Sequence, residues 1–458
     1  MAKNEHEIRD PIHNFIRLES SERRVLDSRP MQRLRHIHQL GTTFLVYPGA
    51  THRRFEHSLG VMELASRVYD IVMHPNNVHD SVKNIIPEHG KLEYHRWRRT
   101  LRMAALCHDI GHLPFSHAAE AELLPQGWDH ERLTIEIIKS NELKKILERV
   151  EVDPVKVAWL AVGQKKYPDQ HFSDLETLLS EIIVGDAFGV DRMDYLLRDS
   201  HHAGVAYGRF DHYRLIDSLR ILPFQKGQGN SSKSGASKSA MAAVEEDSTE
   251  PSLGLHEDGI HGAEALLVAR YFMYTQLYFH PVRRAYDRHL QDFLAAYLPE
   301  GKFSTKVIDH LRTTDNELMA AILESAQNKH SPSHAHATCL VNRGHFRQLY
   351  HTNPEDQKRN PNAAVMIFES ACREFGEENL KFSPCSVKGQ GTDFPVLMKD
   401  GRISRSLLVS EMLAAAKPVV ISYVLIHPEL KDRAEKWLNK NRNNIITSVP
   451  EVNDDGTP

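Results

Sequence analysis

Apolar positions recur at close to a 3.6-residue period over Arg53–Tyr69, where Phe55, Leu59, Met62, Leu64, Ala65 and Val68 predict one buried helix face. A second helical pattern, Trp97–His108, runs into Cys107-His108-Asp109-Ile110-Gly111-His112, and Gly111 with Pro114 is expected to end it. Ser173–Ser200 predicts two further helices parted near Gly185–Gly189. The short run Phe44–Tyr47, closed by Pro48-Gly49, predicts an extended piece bounded by a turn. The first 220 residues therefore read as mainly helical.

Gln225–Pro251 breaks the pattern. Gly, Ser and Lys give way to an acidic patch with almost no bulky apolar side chain, so a flexible loop is expected. Helical patterning resumes at Ala263, and Pro281 is expected to kink or break that helix. The loop is therefore read as an insertion, residues 225–252, within an N-terminal domain of residues 1–300. Beyond it, Lys306–Gln327 predicts a helix, and His334 and His336 are expected in a polar loop. Short apolar segments follow at Ala363–Phe368 and Pro395–Met398, then a strand at Pro418–Ile426 and a closing helix at Pro428–Asn439. Residues 301–458 thus read as a smaller α+β lobe on a mainly α protein.

Composition narrows the function classes. The 458 residues are 41% hydrophobic, enough for a sizeable core, and their formal charge is −4, which disfavours a polybasic nucleic-acid binder. Arg96–Arg102 is expected to be a solvated helix face rather than a phosphate or nucleic-acid patch. Four dispersed cysteines (Cys107, Cys339, Cys372 and Cys385) form no CxxC pair, which disfavours a disulfide scaffold and a thiolate zinc ribbon and fits a reducing cytoplasm. No run approaches the ~18 apolar residues of a membrane span, so a cytoplasmic protein without membrane contact is expected. Histidine is the exception: there are 29, more than the 24 glycines, and they crowd between His36 and His130. Imidazole is both a metal ligand and a near-neutral acid–base group.

The strongest chemical signal is His57, then His108-Asp109, then Asp191. Neutral imidazoles with carboxylates can hold a divalent ion while leaving positions open for water and phosphate. His112, His117 and His130 surround this set as candidates for proton transfer. Asp191, Tyr195 and Asp199 fall at i, i+4 and i+8 on one helix face, a stripe suited to a sugar phosphate. Arg54 lies three residues before His57, and Arg192 follows Asp191, so guanidinium groups adjoin the ligands.

The segments IRDPIHNFIRL, RPMQRLRHIHQLG, VYPGATHRRFEHSLGV, LCHDIGHLPFSH and VDRMDYLLRDSHHAG, in this order, resemble the HD-domain superfamily. Within it the chain is most similar to the deoxynucleoside triphosphate triphosphohydrolases over roughly residues 8–300, and it looks like their bacterial branch. The resemblance implies a helical HD catalytic core with His57, His108, Asp109 and Asp191 as metal ligands. It implies catalytic or phosphate-contacting roles for His112, His117 and His130. Arg54 and Arg192 then match triphosphate contacts, Gln39, Leu40, Tyr195 and Asp199 the deoxyribose contacts, and Tyr286 a position near the base. Glu120 stands where the vertebrate enzymes pair an aspartate with the acid histidine, and Tyr278, Asp287 and Asn14 also depart from the pattern.

The implied reaction is attack of metal-activated water on the α-phosphorus, releasing deoxynucleoside and intact triphosphate. One transition metal (Mn, Fe, Zn or Ni) is expected at the HD site, with Mg entering on the triphosphate. The resemblance further implies a dimeric or tetrameric homo-oligomer, a nucleotide activator, and a C-terminal lobe serving assembly or regulation. Such an activity suits dNTP pool control or phage defence. Two other readings compete: an HD nucleotidase or phosphodiesterase using the same ion, and a nucleotide-sensing regulator. A nuclease ranks third, supported only by Arg53, Arg54 and the 96–102 cluster.

Overall fold

Helix Arg54–Val72 is the element on which the catalytic half is organised, and its apolar face is the one read from the sequence: Leu59, Met62, Leu64, Ala65 and Val68 are buried. Helices Leu92–Cys107, Pro154–Val162, Asp174–Val184 and Val190–Ala203 share one core with it through residues such as Leu101, Leu160, Ile182 and Met193. The computed structural model describes residues 5–118, 120–167, 170–224, 250–387 and 393–447. The fold is mainly α, with a C-terminal α+β region. Among the described residues no helix is long and apolar enough to cross a membrane, and the four cysteines are free thiols.

Among the described residues, three small sheets complete the fold. Strands Glu5–Asp10 and Asn14–Glu19 form a hairpin whose turn is fixed by the Asp10 carboxylate, which accepts from the backbone N–H groups of Ile12 and His13. Asn14, where the resemblance leads one to expect glycine, adopts the left-handed region at φ 64°. Strands Leu219–Phe224 and Glu250–His256 pair antiparallel in register Phe224↔Glu250. Residues 225–249 of the expected insertion lie outside the described residues. Strand Pro395–Leu397 then adds in parallel to Glu250–His256, so a late segment of the chain packs onto the catalytic half. Arg347–His351, Leu380–Ser386 and Val420–Ile426 make the third sheet, packed by helices Ala363–Phe375 and Lys431–Thr447 around Ile367, Val424, Ile426 and Leu438.

Several local expectations need correction. Phe44–Tyr47 is not extended: Gly41–Leu45 is a 3₁₀ helix, with Gly41 at φ 53° lying so close to the Phe115 carbonyl that a side chain would collide. Lys306–Gln327 is two helices, Val307–His310 and Asp315–Gln327, because Thr314 and Glu317 form a capping box that starts the second. His334 and His336 lie in helix His334–Val341 rather than a loop, since Ala337 and Leu340 find a core against helix Pro281–Tyr297. Ala363–Phe368 is likewise the start of a helix. Arg102 is not on a solvated face: it is 5% exposed and paired with fully buried Glu22. Pro281 does start a new helix, preceded by a π-helical turn, Met273–Tyr278.

Candidate active site

Four acceptor-bearing side chains converge where helices Arg54–Val72 and Val190–Ala203 meet the end of Leu92–Cys107. His57 Nε2 lies 3.0 Å from Asp191 Oδ1 and 3.6 Å from Asp109 Oδ2. His108 Nε2 lies 3.4 Å from both Asp109 Oδ1 and Asp191 Oδ1. His108 follows the last helical residue, and the turn after it lets Asp109 swing onto the same centre. His108 Nδ1 donates to the Ala105 carbonyl at 2.9 Å, which leaves its buried Nε2 lone pair aimed into the group without a hydrogen-bond partner. His57 Nδ1 donates to Asp194 at 2.8 Å, which turns its Nε2 toward Asp191 at 3.0 Å.

Imidazole nitrogens and carboxylate oxygens gather here at 3.0–3.6 Å, and the unpartnered His108 Nε2 is the atom that calls for a cation. Ligand bonds of about 2.0–2.2 Å place neighbouring donor atoms at roughly this spacing. The donor set of two neutral imidazoles and two carboxylates therefore fits a divalent transition metal. Burial opposes charge on His57, yet the hydrogen bonds it donates to Asp191 and Asp194, with the Asp109 charge, raise its imidazole to about 10, so a bound metal would displace the Nε2 proton. Burial also opposes charge on Asp109, but Arg54, His108 and His112 hold it well below the usual carboxylate range.

Around this centre sit the acid–base groups. Arg54 Nη1 binds Asp109 and its Nε donates to Ser116 Oγ at 2.9 Å. His112 lies with Nε2 3.2 Å from Asp109 Oδ1, its ring stacked on His130 at 4.0 Å. Gly111 makes this stacking possible, because a Cβ there would collide with the His130 carbonyl and the Thr134 N–H. Burial and the charges of Arg54 and His130 push His112 well below its ordinary value. Burial lowers His130 as well, but its 2.6 Å bond to Glu120 prevails and raises it to about 9. At neutral pH the pair is thus one neutral and one charged imidazole. Glu120, which the resemblance ties to the acid histidine, accepts from His130; the side chain of His117 lies outside the described residues.

A cleft of about 560 Å³ opens on this group and is lined by His108, Asp109, His130, Asp191, Lys166 and Phe394. The sugar-side candidates lie deeper. Asp199 accepts from Tyr278 and bonds His52, both at 2.7 Å, and Tyr195 meets the Tyr274 hydroxyl at 3.5 Å. Gln39 and Leu40 are buried at the start of the 3₁₀ turn. None of these four lines the cleft itself; Tyr286 is fully buried against His345, and Arg192 donates to the carbonyls of cleft-lining Gly185 and Asp186.

Residues that the sequence reading did not single out hold the ligands in place. Asp194 is completely buried between His57, His13 (2.7 Å) and Arg198 (2.8 Å), and Arg198 in turn binds Asp10 at 2.8 Å. Its i, i+3 spacing from Asp191 is the signal that was available. A second group, His289, Asp292 and His336, is not a comparable metal centre. Phe346 N–H donates to His289 Nε2 at 3.1 Å, so Nδ1 keeps its proton, and Lys381 already supplies a cation 3.0 Å from Asp292.

Comparison with known proteins agrees with this geometry. The HD domain matches residues 54–162 and the HD associated region matches residues 244–375. An uncharacterized protein of Methanocaldococcus jannaschii is 31% identical over 332 residues, covering 69% of this chain and 57% of that protein. The uncharacterized YwfO of Bacillus subtilis is 34% identical over 283 residues, 60% of this chain and 52% of its own length. The deoxynucleoside triphosphate triphosphohydrolase SAMHD1 of Gallus gallus is 34% identical over 235 residues, 46% of this chain and 36% of that enzyme. The chain thus spans about half the length of the first two relatives and about a third of the chicken enzyme. A crystal structure of a hypothetical protein from Aquifex aeolicus superimposes with a TM-score of 0.72 at 28% identity, covering 95% of this chain and all of that one.

Proposed function

Because the chain belongs to the HD-domain family, we propose that it is a metal-dependent phosphohydrolase that cleaves deoxynucleoside triphosphates at the α-phosphorus. One observation carries the reading: four convergent side chains, His57, His108, Asp109 and Asp191, stand beside a stacked histidine pair of opposite protonation. A divalent ion held by the four would supply Lewis acidity to a phosphoryl oxygen and to water. Arg54 fixes Asp109 and places positive charge at its edge, where an anionic substrate gains most. His112, neutral, can accept a proton; His130, charged through Glu120, can hydrogen-bond a phosphoryl oxygen or donate a proton to the leaving oxygen. His117 belongs to the same proposed proton-transfer set. Asp199, Tyr195, Gln39 and Leu40 form the proposed sugar side.

The test is product analysis. Purified protein loaded with Mn²⁺ is given each dNTP alone and in pairs, and phosphate products are resolved. Intact triphosphate with free deoxynucleoside is the expected result. Pyrophosphate or orthophosphate would overturn it in favour of an HD nucleotidase or phosphodiesterase. Paired substrates read out the proposed nucleotide activation, and light scattering reads out the proposed homo-oligomer.

A further inference from the structure

The turn that follows His112 is held by a residue far along the chain. It passes through Phe115 and Ser116, both at φ 57°, in the left-handed region that disfavours every side chain but glycine's and a bulky one most. Two such residues in succession persist only where their surroundings impose them. Phe115 is 1% exposed, and its backbone N–H donates to Asp315 Oδ1 at 2.8 Å. Asp315, equally buried, is the first residue of helix Asp315–Gln327. Its Oδ2 accepts from the backbone N–H of His38 at 2.8 Å and bonds the ring Nδ1 of His38 at 2.6 Å. One carboxylate thus ties the left-handed turn to the segment before the 3₁₀ helix Gly41–Leu45.

The far end of this turn reaches the candidate site. Ser116 Oγ donates to the His38 carbonyl at 2.8 Å and accepts from Arg54 Nε at 2.9 Å, and Arg54 Nη1 binds Asp109. A backbone relaxed out of the left-handed region would carry the hydroxyl away from both partners. Buried contacts therefore run from Asp315, through Phe115 and His38, to Ser116, and from Ser116 through Arg54 to Asp109. Arg33 makes a parallel tie, its Nε donating to the Thr313 carbonyl at 3.0 Å and its Nη1 to the His112 carbonyl at 2.9 Å. Thr313 and Asp315 lie in the HD associated region, whereas Arg54, Asp109 and His112 lie in the HD domain.

We propose that Asp315 is a positioning residue for the metal centre. By holding the Phe115–Ser116 turn it presents the Ser116 hydroxyl that fixes Arg54 against Asp109, so the HD associated region completes the site. Neither Asp315 nor Ser116 belongs to the group of candidate ligands or lines the catalytic cleft. A carboxylate that served only to satisfy buried N–H groups would act on stability alone. A carboxylate acting through Ser116 must lose its effect when that hydroxyl is gone.

The experiment is a double-mutant cycle on full-length, chelator-treated protein reloaded with Co²⁺, whose d–d absorption bands report ligand geometry. D315N turns an amide N–H toward donors that the carboxylate accepted, and S116A removes one hydroxyl. Each is expected to shift the Co²⁺ bands, and D315N/S116A is expected to show the larger of the two shifts rather than their sum. With the substrate identified by product analysis, kcat/KM is expected to fall ~10–100-fold in either single variant and no further in the double variant. Circular dichroism establishes that each variant is folded, and if D315N is not, S116A alone decides. Parental bands in a folded D315N or S116A, or single-variant losses that multiply in the double variant, overturn the proposal. The hydrolysis measurement rests on the function proposed above. The cobalt spectra do not, so a protein that releases no triphosphate still leaves them decisive.

Discussion

The carboxylate of Asp194 lies in the space that a side chain on Gly60 would occupy. A Cβ on Gly60 would lie 2.7 Å from Asp194 Cγ, and closer still to Oδ1 and to Arg198 Nη2. Gly60 sits one turn after His57 on the ligand-bearing helix, so its missing side chain admits the buried carboxylate that orients the ligand. Alanine at an unconstrained mid-helix glycine stabilises by ~0.5–1 kcal/mol. Here the sign reverses. G60A is expected to cost about 2–3 kcal/mol through overpacking and to reduce bound Mn²⁺. Urea unfolding and metal analysis check both, and a stabilised, fully metallated variant contradicts the assignment.

Asp194 should control metal affinity without touching the ion. Its carboxylate accepts from His57 Nδ1, which presents Nε2 to the other ligands, and Arg198 and His13 hold it there. Removing such a supporting carboxylate weakens metal binding by ~10–100-fold. D194N is therefore expected to lose Mn²⁺ affinity in that range in chelator competition. An Asp194 that serves only the core would lower stability and leave the affinity of the folded protein unchanged.

The metal candidates were legible because each lies in a local pattern: His57 on a strongly periodic helix, and His108-Asp109 where Gly111 and Pro114 stop another. Their supports were not, since Asp10, Asp194 and Arg198 are brought together only by the tertiary fold and read in sequence as ordinary surface charge. Pro395–Met398 was legible as a short apolar segment, but its pairing was not, for the same reason. Its partner, Glu250–His256, is about 140 residues earlier and lies beside a polar segment that discourages any strand expectation. Ser331–Thr338 looked like a loop because its residues are small and polar. From His334 onward it folds as a helix because Ala337 and Leu340 complete a core, a case of packing overriding propensity.

Glu22 and Arg102 form a buried pair that stability measurements can isolate. Glu22 is fully buried and Arg102 also donates to the Arg17 carbonyl at 2.7 Å. Removing one member strands a buried charge, at a cost of ~3–5 kcal/mol, whereas replacing both by apolar groups costs less. R102M alone should fall in that range, and adding E22L should recover at least about 1 kcal/mol. Urea denaturation of the two variants decides; a double variant worse than R102M would show that the pair contributes more than mutual neutralisation.

Glu120 should make stability depend on pH through His130. In the folded, metal-free protein burial lowers His130, but the Glu120 carboxylate outweighs it and raises the imidazole from its ordinary 6.5 to about 9. A raised value means that the folded state binds the proton more tightly than the unfolded chain. The resulting stabilisation is fully present below pH 6.5 and is lost as pH rises through about 9. A shift of this size corresponds to about 3 kcal/mol. E120Q removes the carboxylate charge while keeping an acceptor for the His130 N–H, so its deficit should approach that figure at pH 6 and shrink toward zero near pH 10. Urea unfolding of chelator-treated protein at the two pH values tests the sign directly. A deficit that is constant, or larger at pH 10, would mean that His130 is not held in its charged form by Glu120.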